Sequence, residues 1–167
     1  MCGLVGFLGG DSLEGKEGTE ALLQRMADTI SYRGPNDSGY WCDMDQQIGL
    51  GHRRLSIVDL SSAGQQPMIS PSGRYVIVFN GEIYNYKALR KTLEADGHAF
   101  KTHSDTEVIL EAYRKWGIEC LSRLNGMFAF ALWDTREQSL MLARDRLGLK
   151  PLYYAETDQG LSFSSEI

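Results

Sequence analysis

The chain has 167 residues, 43% hydrophobic and 23% charged, with 17 Lys and Arg against 22 Asp and Glu for a formal net charge of −5. That length fits one domain with a real core, and the composition is that of an ordered globular protein. An acidic balance with no Lys/Arg block argues against nucleic acid or an anionic membrane as main partner, and no apolar run approaches the ~18–20 residues of a membrane span.

The N-terminus lacks the basic region and long apolar stretch of a signal peptide, so a cytoplasmic location is expected. Three scattered cysteines (Cys2, Cys42, Cys120) do not make a disulfide framework. The three histidines show no zinc-ligand spacing, and no glycine-rich phosphate cradle occurs. Side chains and backbone, with no cofactor, are expected to carry any chemistry.

In chain order, residues 2–8 are short, apolar and bounded by glycine, which predicts a buried strand. Leu22, Leu23, Met26 and Ile30 at helical spacing predict a helix over 17–31. YRGPNDSGYW follows and reads as a loop. Strands are expected over 47–52 and 55–59, then a loop, SSAGQQPM, and a fully buried strand in YVIVFN. A helix over 86–97 ends at Gly97, HAFKT reads as a brief strand, and Ser104 with Glu107 forms a capping box ahead of a second amphipathic helix. MFAFALWD and SLMLARD pair as a hairpin, and strands near PLYY and GLSFS finish the chain. Long runs of strand with few, segregated helices predict an α+β sandwich. The ending in SFSSEI, without a polar tail, reads as a domain cut from something longer.

Several residues invite chemical roles that local pattern leaves open. Removal of Met1 would place a free amine, titrating at about 7.7–8.0, beside the Cys2 thiol. The pair would form a compact nucleophile and base, whereas Cys2 read alone is an ordinary core cysteine. Asn80-Gly81 offers a side-chain amide and an unobstructed N–H for an oxyanion, or equally a type I′ turn. Arg53 and Arg54 could clasp a carboxylate or be surface charge. Asp105 could hold an ammonium or complement a helix dipole, while Glu107 reads as the partner of Ser104. Phe128, Phe130 and Trp133 read as core.

Taken together, MCGLVGF, YRGPNDSGYW, GHRRLSIVDLSSAGQQPM, VFNGEIYN, HSDTEVIL, GMFAFALWD and ARDRLGLKPLYY resemble the glutaminase domain of glutamine-hydrolysing asparagine synthetases. These are class II glutamine amidotransferases of the N-terminal-nucleophile hydrolase group. The resemblance runs in order through the whole chain. YRGPNDSG followed by GHRRLSI is similar to the asparagine synthetase branch, whereas the sugar-aminating and phosphoribosyl-pyrophosphate branches differ after the Arg-Gly.

The resemblance implies a four-layer αββα sandwich of two mostly antiparallel sheets, in a single domain spanning 1–167. It implies that Met1 is removed and that Cys2 attacks the side-chain amide of L-glutamine. By the same matching, Asn80 and Gly81 form the oxyanion hole, Arg54 grips the α-carboxylate and Asp105 holds the α-amino group. Leu55, Ser56, Ile57, Val58 and Glu82 line the pocket. The γ-glutamyl thioester is then hydrolysed, and the ammonia serves ATP-dependent synthesis of asparagine from aspartate. No metal is implied for this half-reaction; ATP and Mg2+ belong to a C-terminal synthetase domain, which nothing in the chain resembles. Expected partners are therefore L-glutamine and a synthetase domain, in a longer chain or a partner subunit, with a homodimer admitted. A different acceptor, such as a sugar or another carboxylate, and a non-catalytic glutamine- or partner-binding module are the competing readings. Where the family has Arg-Gly-Pro-Asp, this chain has Asn36 followed by Asp37, removing any salt bridge from that position.

Overall fold

The computed structural model describes residues 2–9, 15–55 and 64–167. Strand β1 (Gly3–Leu8) is followed by helix α1 (Gly15–Thr29), β2 (Asp37–Asp43), β3 (Ile48–Arg54), the two-residue β4 (Met68–Ile69) and β5 (Tyr75–Ile83). Helices α2 (Tyr86–Ala95), α3 (Asp105–Trp116) and α4 (Cys120–Arg123) come next, then β6 (Gly126–Asp134), β7 (Ser139–Arg144), β8 (Tyr153–Thr157) and β9 (Gly160–Ser164). Two sheets result, in the orders β2-β3-β1-β9-β8 and β4-β5-β6-β7, with every strand pair antiparallel.

Alternation along the strands produces three apolar layers, because successive side chains leave a strand on opposite faces. Leu4, Ile48, Leu50 and Phe163 of the first sheet meet Val76, Val78, Ala129, Ala131 and Trp133 of the second. The other face of β5 and β6, with Ile77, Phe79, Phe128, Phe130 and Leu132, packs on Leu89 and Leu93 of α2 and Val108, Ile109 and Ala112 of α3. Val5 of β1 meets Ala27 and Ile30 at the end of α1. The order is α1, sheet, sheet, α2–α4: the expected αββα sandwich.

The aromatic residues Phe128, Phe130 and Trp133 are core, as expected, but they serve two different layers. Three local expectations fail. The second half of YRGPNDSGYW is strand β2, which pairs along the whole of β3; its Gly, Ser and Asp content reflects an edge position. HAFKT forms no strand, because the Lys101 and Thr102 N–H groups are taken by the Glu107 carboxylate at 2.8 and 2.7 Å. Glu107 is thus no capping-box partner of Ser104, whose N–H goes to Thr102 Oγ1, although Ser104 Oγ caps α3 by accepting from Thr106 N–H at 3.1 Å. The strand expected over 55–59 does not include Leu55, and its remaining residues lie outside the described ones.

Asp145 fixes the far end of the second sheet. Its buried carboxylate accepts from the N–H groups of Phe128, Leu147, Leu149 and Lys150 at 2.9–3.2 Å, and its own N–H reaches Phe128 O at 2.8 Å. Burial pushes the carboxyl up, but these N–H donors outweigh it and hold it below the usual carboxylate range. Phe128 is the ladder partner of Gly81, so this loop anchors the strand behind the Asn-Gly pair. Asp145→Ala is expected to cost about 3 kcal/mol or more in chemical unfolding, since four donors, two of them buried, lose one acceptor, with Asp145→Asn costing less. Equal stability of Asp145→Ala and wild type would refute this.

Candidate active site

The polar end of the gap between the sheets is built by the same alternation. Cys2 shares the inward parity of Leu4, Arg54 that of Ile48 and Leu50, and Asn80 that of Val76 and Val78. The register Gly3↔Arg53 and Leu4↔His52 brings the start of β1 beside the end of β3. Half-buried Cys2 places its Sγ 3.4 Å from the Leu55 N–H, a donor toward sulfur, and its carbonyl accepts from Arg33 Nε at 3.1 Å. Arg33, itself buried, also pairs with Glu166.

The two adjacent arginines part company here. Arg53 leaves on the α1 side, where its Nη1 lies 3.5 Å from Asp28 Oδ1. Arg54 is 9% exposed and projects with His52 toward the gap. Its backbone is clasped by the preceding loop, through a bridge to Pro35 and the Asn36 N–H to Arg54 O at 3.1 Å.

Asn80 and Gly81 are not a turn. Both lie inside β5, opposite Ala129 and Phe128 of β6. Phe128 directs its N–H and C=O to Asp145, away from β5, so Gly81, its partner, directs its own groups to the opposite edge of β5. Along that edge Tyr75 N–H goes to Ser70 Oγ, Ile77 pairs with Met68 of β4, Phe79 N–H goes to Gln66 Oε1 at 2.5 Å, and Ile83 N–H goes to Asp105 Oδ2 at 3.0 Å. The Gly81 N–H between the last two has no acceptor among the described residues. A side chain at 81 is barred, because its Cβ would stand 2.2 Å from Met127 O. Beside it, the Asn80 Nδ2 is fully buried without a hydrogen-bond partner among the described residues, in a residue only 2% exposed. A buried donor left unpaired costs free energy unless something accepts from it. Two such donors on consecutive residues are suited to an oxygen that carries negative charge.

Asp105 stands at the first turn of α3, one oxygen holding the end of β5. Burial pushes its carboxyl up and the neighbouring Glu82 adds to this, against hydrogen bonds from the Ile83, Thr106 and Asp105 N–H groups. Of the residues singled out from sequence, Cys2, Arg54, Leu55, Asn80, Gly81, Glu82 and Asp105 are thus distributed over the start of β1, the end of β3, and the β5–α3 edge. Ser56, Ile57 and Val58 lie outside the described residues. Among the described residues no group of three or more His, Cys, Asp or Glu side chains could hold a metal ion, and no helix is long and apolar enough to cross a membrane.

Three residues that the sequence reading passed over support this site: Arg33, His52 and Gln66. A histidine two residues beyond Leu50 on a buried strand was a usable signal; nothing marked Gln66 within its polar loop. His52 is 1% exposed and its Nε2 lies 3.1 Å from Phe79 O, which can only accept, so Nε2 carries the proton. Burial pushes the imidazole down to about 4, helped by Arg54 and opposed by the Phe79 hydrogen bond.

A family model described as a glutamine amidotransferase domain matches residues 1–167. Asparagine synthetase [glutamine-hydrolyzing] 2 of Bacillus subtilis (strain 168) is 46% identical over 167 residues, which is 100% of this chain and 22% of that protein. Asparagine synthetase [glutamine-hydrolyzing] 3 of the same organism is 43% identical over 169 residues, 100% of this chain and 27% of that protein. The chain therefore spans about a quarter of the length of these curated relatives. Among solved structures, the glutamine phosphoribosylpyrophosphate amidotransferase from B. subtilis, complexed with ADP and GMP, superposes with a TM-score of 0.78 at 21% identity. The match covers 98% of this chain and 42% of that one, and it establishes a shared fold.

The buried neutral imidazole makes stability depend on pH in a definite direction. An unfolded histidine titrates at about 6.5, so below that pH the unfolded chain takes up a proton that the folded chain refuses. The stabilisation, about 3 kcal/mol for a shift of this size, is complete above pH ~6.5 and is lost as pH falls toward about 4. Thermal unfolding across that window should show a decline that is shallower in His52→Gln, which retains an N–H donor. Identical slopes for the two proteins would contradict the assignment.

Proposed function

The chain belongs to the glutamine amidotransferase domain family, and from that premise we propose that it hydrolyses L-glutamine to L-glutamate and ammonia with Cys2 as nucleophile. The observation that carries the reading is the pair of donors on β5 with no acceptor among the described residues, the buried Asn80 Nδ2 and the Gly81 N–H. After Met1 is removed, the Cys2 amine takes the thiol proton and Sγ adds to the glutamine side-chain amide carbon. Asn80 and Gly81 hold the oxyanion that forms. The amine returns its proton to nitrogen, ammonia leaves, and water hydrolyses the γ-glutamyl thioester, regenerating the thiol.

In this reading Arg54 grips the substrate α-carboxylate from the gap, and Asp105 with Glu82 receives the α-ammonium. Residues 55–58 line the pocket. The half-reaction needs no cofactor. The ammonia passes to a synthetase region, in the same chain or in a partner subunit, that uses ATP and Mg2+ to make asparagine from aspartate. Support for that acceptor is the naming of the relatives at 43–46% identity, of which this chain matches only about a quarter. A cytoplasmic location suits the three free cysteines.

Ammonia release from L-glutamine tests the hydrolysis directly. Cys2→Ala should abolish it, and Asn80→Ala should lower kcat by about 10²–10³-fold. Wild type without activity, or Cys2→Ala as active as wild type, would sink the reading. The arginines provide a separate test. Arg54→Ala should raise KM for glutamine by about tenfold or more, the loss of a charge-assisted hydrogen bond. Arg53→Ala, removing a partner of Asp28 on the opposite face, should leave KM near wild type; equal effects would show that the carboxylate clasp lies elsewhere.

A further inference from the structure

The peptide units on either side of Phe79 are held by side chains from two different elements. Strand β4 ends its pairing with β5 at Met68↔Ile77, so Phe79 is the first residue of that edge with no strand beside it among the described residues. Its N–H donates to Gln66 Oε1 at 2.5 Å, and its carbonyl accepts from His52 Nε2 at 3.1 Å. The next residue is Asn80, whose position follows from the orientation of the 79–80 peptide. Gln66 reaches further. With its oxygen committed to Phe79, its Nε2 points to Thr106 Oγ1 at 3.5 Å, next to Asp105 at the start of α3. Its own backbone rests on β2, where Gly39 leaves room: a Cβ at that position would stand 2.0 Å from Gln66 O. One side chain thus spans from the edge of the first sheet to the second sheet and to the helix behind it.

We propose that Gln66 is a positioning residue for glutamine hydrolysis, holding the Phe79–Asn80 segment of β5 so that the Asn80 amide and the Gly81 N–H converge on the oxyanion. The inference rests on the hydrolase reading above. Gln66 hydrogen-bonds Phe79 and Thr106 and acts through the backbone of Phe79. The oxyanion exists only in the tetrahedral species, so loss of this support falls on kcat far more than on KM. Displacements of about 1 Å in such groups cost on the order of 100-fold in rate.

Kinetics of ammonia release from L-glutamine, for wild type, Gln66→Met and Gln66→Glu, test the proposal. Methionine keeps the length of the side chain and supplies no comparable acceptor, so kcat should fall by about 10- to 100-fold with KM within about twofold. Glutamate restores an oxygen for the Phe79 N–H, and the Thr106 hydroxyl can turn to donate to it, so kcat should return to within about fivefold of wild type. An active wild type with unchanged kcat in Gln66→Met overturns the proposal alone. So does a loss confined to KM, or a Gln66→Glu protein as impaired as Gln66→Met. An inactive wild type overturns the hydrolase reading and this inference with it. Should Gln66→Met fail to fold, Gly39→Ala decides in its place by displacing the Gln66 backbone: a loss in kcat supports the proposal and wild-type kinetics overturns it.

Discussion

The free edge of β5 is the constraint on which the site depends. Antiparallel pairing sends every second N–H and C=O of a strand to the same side. On β5 one side is fully used by β6, and the other meets a partner strand only two residues long. From Phe79 onward, backbone groups inside a packed sandwich must find side-chain partners or remain unpaired at a cost. Gln66, His52 and Asp105 meet that need at residues 79 and 83. The gap they leave between them, at Gly81, is what gives the domain an N–H to offer to a ligand. A β4 continued past its two residues would fill the edge and close the site.

The pleat supplies the second half of the arrangement. The gap between the sheets is apolar through Leu4, Leu50 and Val78 and turns polar at Cys2, Arg54 and Asn80, one or two pleats further along each strand. The transition needs a residue that tolerates both environments, and His52 occupies it. Kept neutral by burial, it adds no positive charge beside Arg54 and still delivers an N–H to the Phe79 carbonyl. Adjacent arginines on β3 serve different layers for the same reason: Arg53 ties the sheet to α1 through Asp28, while Arg54 belongs to the gap.

Much of this was legible in the residues. Apolar alternation and helical spacing located the principal strands and helices, and the capping serine of α3 was read correctly because Ser104 needs only its local neighbours. Local pattern failed where a partner distant in sequence decides. Asn-Gly looks like a hairpin turn until β6 is laid beside it, and β2 looks like a loop because an edge strand carries little apolar signal. Glu107 matches a capping box, yet its carboxylate bonds the backbone of the preceding segment. The preference for Arg54 over Arg53 rests on family resemblance; register puts the two on opposite faces of β3. Gln66 was invisible for a similar reason. Its work is done across sheets, and nothing in a polar loop announces that its amide will stand in for a strand.

That substitution has an evolutionary consequence. A backbone hydrogen bond is written by the fold and cannot be altered by exchanging one amino acid, because every residue but proline offers the same groups. A bond made by the Gln66 side chain depends on a single codon. Here the peptide preceding Phe79 is therefore set by a residue that point mutation can lengthen, shorten, charge or remove while the two sheets stay as they are. The stretch of β5 that carries the Asn80 and Gly81 donors is the stretch whose geometry selection can adjust in the smallest steps.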